Sequence, residues 1–170
     1  MGFFGLFFLA RSDQPLAGLA SVARVGRDCG ENVYPGGWRL GQIHYSHEPY
    51  DAEILAAGLV ADTGAPALAM YVFDNDFGDA YVDSPNQTRH WFFLDTQSAL
   101  AMYEPWDEAP DPPSDQETVE CLMRWAAEAQ LPASPDRLLA ALSVRPGPFG
   151  EGVIGLISAL GVSVPEHDDD

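Results

Sequence analysis

The stretch Ala67-Leu-Ala-Met-Tyr-Val-Phe73, followed by Asp74-Asn-Asp-Phe-Gly78, decides the fold class of this chain. The first seven residues are almost continuously apolar, which is typical of a strand that is buried on both faces of a sheet. The Asp, Asn and Gly residues that follow favour a tight turn, so we expect residues 79–83 to return as a hairpin partner. A sheet therefore lies at the centre of the predicted fold.

Further elements flank this hairpin on both sides. Apolar runs predict strands over residues 3–10, 38–45, 67–73, 79–83 and 89–94. Apolar spacing and capping residues predict helices over residues 15–25, 51–63, 96–103, 114–130, 135–143 and 149–160. Residues 27–37 are polar and contain glycine, which indicates a loop. Because helices link the early strands, we expect right-handed crossovers between parallel strands.

The sequence thus predicts an α+β (mixed α/β) protein. It has a mixed sheet of about five strands, with helices packed on it and a C-terminal helical cap. The length of 170 residues and a hydrophobic content of 46% allow one domain with a core. We expect that domain to span residues 1–161, with a sheet half (1–103), a linker rich in proline and acid (104–113) and a helical cap (114–161). Residues 162–170 are predicted to be an acidic tail.

The charge of the chain is distributed unevenly. Its 8 basic residues are all arginine, against 26 acids, and the formal net charge is −18. Residues 1–45 hold 4 Arg and 3 acids, whereas residues 46–123 hold 1 Arg and 16 acids. Such a field repels phosphate backbones and attracts basic proteins and cations. We therefore expect a basic protein as the partner, and no nucleic acid.

The densest acidic stretch surrounds one tryptophan. Residues 104–120 contain seven acids and no basic residue. An exposed aromatic ring beside carboxylates is suited to anchor a basic protein, because charge steers the encounter and the ring supplies buried area. The alternative is a solvated linker whose tryptophan folds back onto the domain. The candidate partner-binding residues are Trp106, Asp107, Glu108, Asp111, Asp115, Glu117 and Glu120.

A second candidate site contains two histidines and an aspartate. His44, His47 and Asp51 offer imidazole and carboxylate ligands for a divalent metal such as zinc or iron. In an extended strand the two histidines would point to opposite faces, so they converge only if the chain turns between them. The alternative is that they are polar residues at a strand end, and that Asp51 caps the next helix.

The hairpin turn also holds acids. Asp74, Asp76 and Asp79 offer oxygen ligands, but Gly78 is fifth rather than sixth, and Pro85 stands in the twelfth place of a calcium loop. The pattern favours a plain turn, in which Asp, Asn and Gly serve the backbone.

Cysteine usage and hydropathy indicate the compartment. The two cysteines, Cys29 and Cys121, are too few for a disulfide framework. The apolar start, residues 2–10, is far shorter than the roughly 20 residues that span a bilayer. We therefore expect a protein of the reducing cytoplasm that does not associate with membranes.

Together these features favour a small binding or regulatory module over an enzyme. It would need no cofactor and would engage a basic protein through its acidic face. Inhibitor or immunity-type proteins that mask a positively charged active site share this charge pattern, and the likeness is electrostatic only. The alternative is a small metal-dependent enzyme that uses His44, His47 and Asp51. A third possibility is a scaffold domain whose charge only aids solubility.

Overall fold

A computed structural model describes residues 2–26, 28–44 and 51–166 of the chain. Its strands are β1 (Gly5–Arg11), β2 (Cys29–Tyr34), β3 (Trp38–His44), β4 (Ala67–Phe73), β5 (Phe77–Asp83) and β6 (His90–Leu94). Its helices are α1 (Ala20–Ala23), α2 (Ala52–Thr63), α3 (Thr96–Tyr103), α4 (Asp115–Glu128), α5 (Pro135–Leu142) and α6 (Glu151–Ala159). The strands form one sheet in the order β2-β3-β1-β4-β5-β6. The predicted α+β class is confirmed.

Within the described residues the sheet has six strands, whereas about five were expected. The additional strand is β2, which lies in the segment predicted to be a loop. It occupies an edge of the sheet, and most of its side chains are exposed or half-buried. A strand that is solvated on both faces needs no alternation of apolar residues, so its sequence gives no strand signal.

The sheet is antiparallel in every ladder of the described ranges, not mixed as expected. β3 and β4 do run in the same direction, since each is antiparallel to β1, and α2 links them. However, β1 lies between them: Phe8 is opposite Gly41 on one side and Ala69 on the other. The local strand–helix–strand pattern cannot show that an earlier strand separates the two.

Helices α4, α5 and α6 cover one side of the sheet, which we call the closed face. Its core includes Trp38, Leu68 and Met70 from the strands and Trp125 from α4. The Trp125 indole nitrogen donates to the carbonyl oxygens of Ala67 (3.2 Å) and Asp83 (2.9 Å), so it ties α4 to the ends of β4 and β5. The predicted C-terminal helical cap is confirmed.

An arginine joins the first strand to the same helix. Arg11 donates from Nη2 to the carbonyl oxygen of Ala129 at 2.5 Å, just after the end of α4. Its guanidinium carbon lies 4.6 Å from the centroid of the Trp38 ring. A cation at the C-terminus of a helix stabilises the unpaired carbonyl groups there.

The opposite side of the sheet is only partly covered, and we call it the open face. Helix α2 packs on β1, β4 and β5, α1 packs against α2, and α3 packs near β5 and β6. Phe73 touches both of these apolar clusters. The outer strands therefore keep side chains such as Tyr81 and Trp91 half-buried.

The predicted hairpin turn is confirmed, and its side chains bind the protein's own backbone. Asp74 and Asn75 adopt left-handed conformations, with φ of 50° and 62°. Their side-chain oxygens accept from the backbone N–H groups of Gly2 (2.7 Å) and Phe3 (2.6 Å). Asp76 forms an exposed ion pair with Arg145 at 3.4 Å. These contacts account for the cluster of acids without a cation.

Two segments differ from the helices and the tail that we predicted. The first helix, expected over residues 15–25, is only a 3₁₀ turn at Leu16–Gly18 followed by the short α1. The segment predicted as an acidic tail begins packed, because Val162 is 3% exposed and Val164 contacts the core.

The longest helix, α4, has 14 residues, and no helix of the described ranges is long and apolar enough to cross a membrane.

Candidate binding site

The acidic segment, residues 104–120, links α3 on the open face to α4 on the closed face. A 3₁₀ turn, Glu104–Trp106, continues α3, and Asp107 then adopts a left-handed conformation that ends it. The Trp106 side chain is 72% exposed, so it does not fold back onto the protein. The predicted acidic partner residues are also exposed, namely Asp107, Glu108, Asp111, Asp115, Glu117 and Glu120.

Both ends of this segment are anchored. Tyr103 is half-buried and packs against the cluster that contains Phe77 and Phe93. At the other end, the Ser114 hydroxyl accepts from the Glu117 N–H at 3.2 Å, and the Glu117 carboxylate accepts from the Ser114 N–H at 3.3 Å. This predicted capping box fixes the start of α4. The exposed ring and the carboxylates of Asp107, Glu108 and Asp111 thus lie between two fixed points, and the remaining candidate acids lie on α4 itself.

No ion pair among the described residues involves the acids of the acidic segment. The described residues form four ion pairs, whose acids are Glu31, Asp76, Asp83 and Asp95. None of these acids belongs to residues 104–120. Because the exposed carboxylates of this segment form no ion pair in the described ranges, their field extends into solvent and is available to a cationic partner.

A groove lies on the open face beside α2, with a volume of about 320 Å³. Its floor contains Tyr81 and Trp91, which are directly opposite each other on β5 and β6. Arg89, the only cation of its lining, forms an ion pair with Asp83 at 3.1 Å. We call it the β5–β6 groove; its lining comprises Glu53, Ala56, Ala57, Tyr81, Val82, Asp83, Arg89, His90 and Trp91.

Carboxylates dominate the electrostatics around this groove. Asp79, half-buried on the same face, accepts from the Trp91 indole nitrogen at 2.5 Å. Burial raises the pKa of Asp79; the Trp91 hydrogen bond opposes this effect and the charge of Asp51 adds to it. Burial, together with the charges of Asp79, Glu53 and Asp51, raises the pKa of Tyr81 to about 12. The Tyr81 phenol therefore stays protonated in a negative environment.

Two of the three predicted metal ligands, His44 and Asp51, lie in the described residues. His44 is the last residue of β3, and its ring lies 5.3 Å from that of Phe3. The Asp51 side chain accepts from the N–H groups of Glu53 (2.9 Å) and Ile54 (3.3 Å), which confirms that it caps α2. His47 lies outside the described residues, and the metal site stays a prediction. Among the described residues, no group of three or more His, Cys, Asp or Glu is placed to hold a metal.

Two further titratable side chains, those of His90 and Cys121, make contacts within the protein. The His90 ring nitrogen Nε2 lies 2.9 Å from the Thr118 hydroxyl of α4. Burial lowers the pKa of His90, and the nearby charge of Glu117 partly opposes that effect. Cys121 is buried in the closed-face helix α4, and burial raises the pKa of its thiol. A thiol of that kind is protonated at neutral pH and packs as a small apolar group.

Sequence reasoning missed the β5–β6 groove. A signal was present, because Phe77, Asp79 and Tyr81 share a face of β5 and mix polar with aromatic residues. That pattern indicates a face that helices cover only partly. The missing information was the pairing of Tyr81 with Trp91, which depends on the register that the intervening loop sets.

Comparison of the chain with protein-family models, with curated proteins and with solved structures found no match. Function is therefore inferred from the residues and contacts of this chain alone.

Proposed function

We propose that this protein is a cytoplasmic binding module that engages a basic protein partner through its acidic surface, as an inhibitor or immunity-type protein would. The acidic surface comprises Trp106, Asp107, Glu108, Asp111, Asp115, Glu117 and Glu120. One observation carries the proposal: the Trp106 ring is 72% exposed among carboxylates that have no ion-pair partner in the described ranges.

The carboxylates and the Trp106 ring would contribute to different steps of binding. The carboxylates would accelerate encounter with a cationic surface, and this effect weakens as salt screens it. Burial of the Trp106 ring would then slow dissociation, since tryptophan is among the residues that dominate interface energies. A surface that served only solubility would not need a large exposed aromatic residue among its charges.

The first experiment identifies the partner with matched variants. Wild-type protein and Trp106→Ala are immobilised and exposed to extract of the native host at low salt, and bound proteins are identified by mass spectrometry. We expect a basic protein that wild type retains and Trp106→Ala loses. Phe149→Ala is the control, because Phe149 is 82% exposed but lies outside the acidic surface, and it should retain the same protein.

The second experiment measures association kinetics with the purified partner. A variant with Glu108→Gln, Asp111→Asn and Glu120→Gln removes three exposed charges at nearly constant shape. We expect the association rate of wild type to fall steeply between low and physiological salt, and the slope to be shallower in the variant. Equal association rates of wild type at the two salt concentrations would refute the proposal.

A further inference from the structure

We propose that the β5–β6 groove binds an organic cation, either an ammonium or a guanidinium group. It would thus be a second contact site of the module, for a lysine or arginine side chain of the basic partner. Only this choice of source rests on the proposed function. The proposal that a cation binds in the groove rests on the shape of the groove, its aromatic rings and its charges.

The size of the groove fits the end of a side chain. Its volume of about 320 Å³ is near the lower limit of small-molecule sites. Ala56 and Ala57 of α2 form one wall, and their small side chains leave the floor open. A long, thin group such as the end of lysine or arginine could therefore reach the rings of β5 and β6.

The floor of the groove provides two aromatic rings. Tyr81 and Trp91 are a directly opposed cross-strand pair, and both are half-buried. Trp91 is held by its edge contact with Phe93, at 5.0 Å between centroids, and by its hydrogen bond to Asp79. The π faces of such rings attract ammonium and guanidinium groups. A metal ion would instead require several converging oxygen or imidazole ligands.

Apart from Asp83, the acids in and beside the groove have no ion-pair partner among the described residues. Arg89 is already paired with Asp83, and no ion pair in the described ranges involves Glu53 or Asp79. Asp79 is half-buried, and it receives a neutral hydrogen bond from Trp91 rather than a cation. Removing a carboxylate from water without a cationic partner is unfavourable. Asp79 is not part of the lining of the groove, but its carboxylate bonds to the indole nitrogen of Trp91, which belongs to the lining. A cation bound against the Trp91 ring would therefore lie near this carboxylate and offset part of that cost.

The test uses the Trp91 indole N–H signal in ¹H–¹⁵N spectra of the full chain. The probes are Nα-acetyl-arginine methylamide, Nα-acetyl-lysine methylamide and spermidine, with the uncharged Nα-acetyl-norleucine methylamide as control. We expect a saturable shift with the cations and none with norleucine. Tighter binding of an amino-acid probe would assign the groove to a partner side chain, whereas tighter binding of spermidine would assign it to a free polyamine.

Two variants test the mechanism. Asp79→Asn keeps an oxygen that can accept from Trp91 but removes the charge, and we expect cation affinity to fall about tenfold. Trp106→Ala should leave the cation affinity unchanged. If the cations bind the groove but the capture experiment finds no basic partner, only the proposed function fails. The inference is overturned if no cation shifts the signal saturably, if norleucine shifts it equally, or if Asp79→Asn binds as tightly as wild type.

Discussion

The closed and open faces of the sheet differ in how completely helices cover them. On the closed face, α4, α5 and α6 bury Trp38 and Trp125 almost fully. On the open face, Tyr81 and Trp91 stay half-buried beside carboxylates. We infer that stability comes mainly from the closed face. Incomplete cover leaves the open face with polar groups, rings and unneutralised charge, which are the features that binding requires.

Two tryptophans express this difference most directly. Trp125 is fully buried and donates to two backbone carbonyl groups, whereas Trp91 is half-buried and donates to the carboxylate of Asp79. We expect Trp125→Ala to lower the free energy of unfolding by about 3–5 kcal/mol. Trp91→Ala should lower it by only about 1 kcal/mol. Urea unfolding of both variants measures the difference, and equal losses would contradict the assignment of stability to the closed face.

Arg11 tests the contact between β1 and the closed-face helices. Arg11→Met keeps much of the side-chain volume but loses the charge-assisted hydrogen bond to Ala129 and the cation above Trp38. We expect a loss of about 2 kcal/mol in the free energy of unfolding. Arg137→Met is the control, since the exposed Arg137 side chain donates only to the Ser158 hydroxyl among the described contacts, and the change should cost less than about 0.5 kcal/mol. Similar losses in both variants would show that Arg11 contributes no more than a surface cation.

We expect the ionisation of Asp79 on the open face to lower the free energy of unfolding as pH rises. Because burial raises its pKa above the ordinary 3.8, the folded state binds more protons than the unfolded state just above pH 3.8. The free energy of unfolding therefore declines as pH rises through this window. We expect Asp79→Asn to equal wild type below pH 3.8 and to be more stable at neutral pH, as measured by urea unfolding across a pH series. Lower stability of the variant at neutral pH would show that the charge stabilises the fold.

We expect His90 to have the smallest effect of these residues on the free energy of unfolding. Its pH dependence is opposite in sign to that of Asp79. Burial lowers its pKa below 6.5, so the unfolded state binds more protons between the folded pKa and 6.5. The contribution of neutral His90 to the free energy of unfolding is fully present above pH 6.5 and is lost as pH falls through this window. The variant His90→Gln should show a weaker dependence in the same series. An unchanged slope would assign the acid sensitivity to other groups.

The parts of the fold that were predicted from the sequence are those whose structure is determined by interactions between residues close together in the chain. β4 was predicted with its exact bounds because Ala67–Phe73 is buried on both faces. The start of α4 was predicted from Ser114 and Glu117, whose capping contacts are local. The exposed position of Trp106 stayed open, since a linker sequence does not determine whether its ring packs against the protein.

The features that escaped prediction either carry no apolar pattern or depend on partners far apart in the chain. The edge strand β2 needs only β3 and carries no apolar pattern. The groove needs α2, β5 and β6 together, and the pairing of Tyr81 with Trp91 appears only with the register. Local propensity carries no information about such placements, because they are set by long-range packing.

The central position of β1 bears on how the chain folds during synthesis. This strand, Gly5–Arg11, is made before both neighbours, and its pairing with β4 joins Leu9 to Leu68. At about 5–20 residues per second, its apolar side chains wait several seconds for the second neighbour to leave the ribosome. During that interval the nascent chain presents an unpaired aromatic strand, a natural substrate for chaperones and a starting point for misassembly. Synonymous codons that slow translation between β1 and β4 would lengthen the exposure and reduce the yield of folded protein.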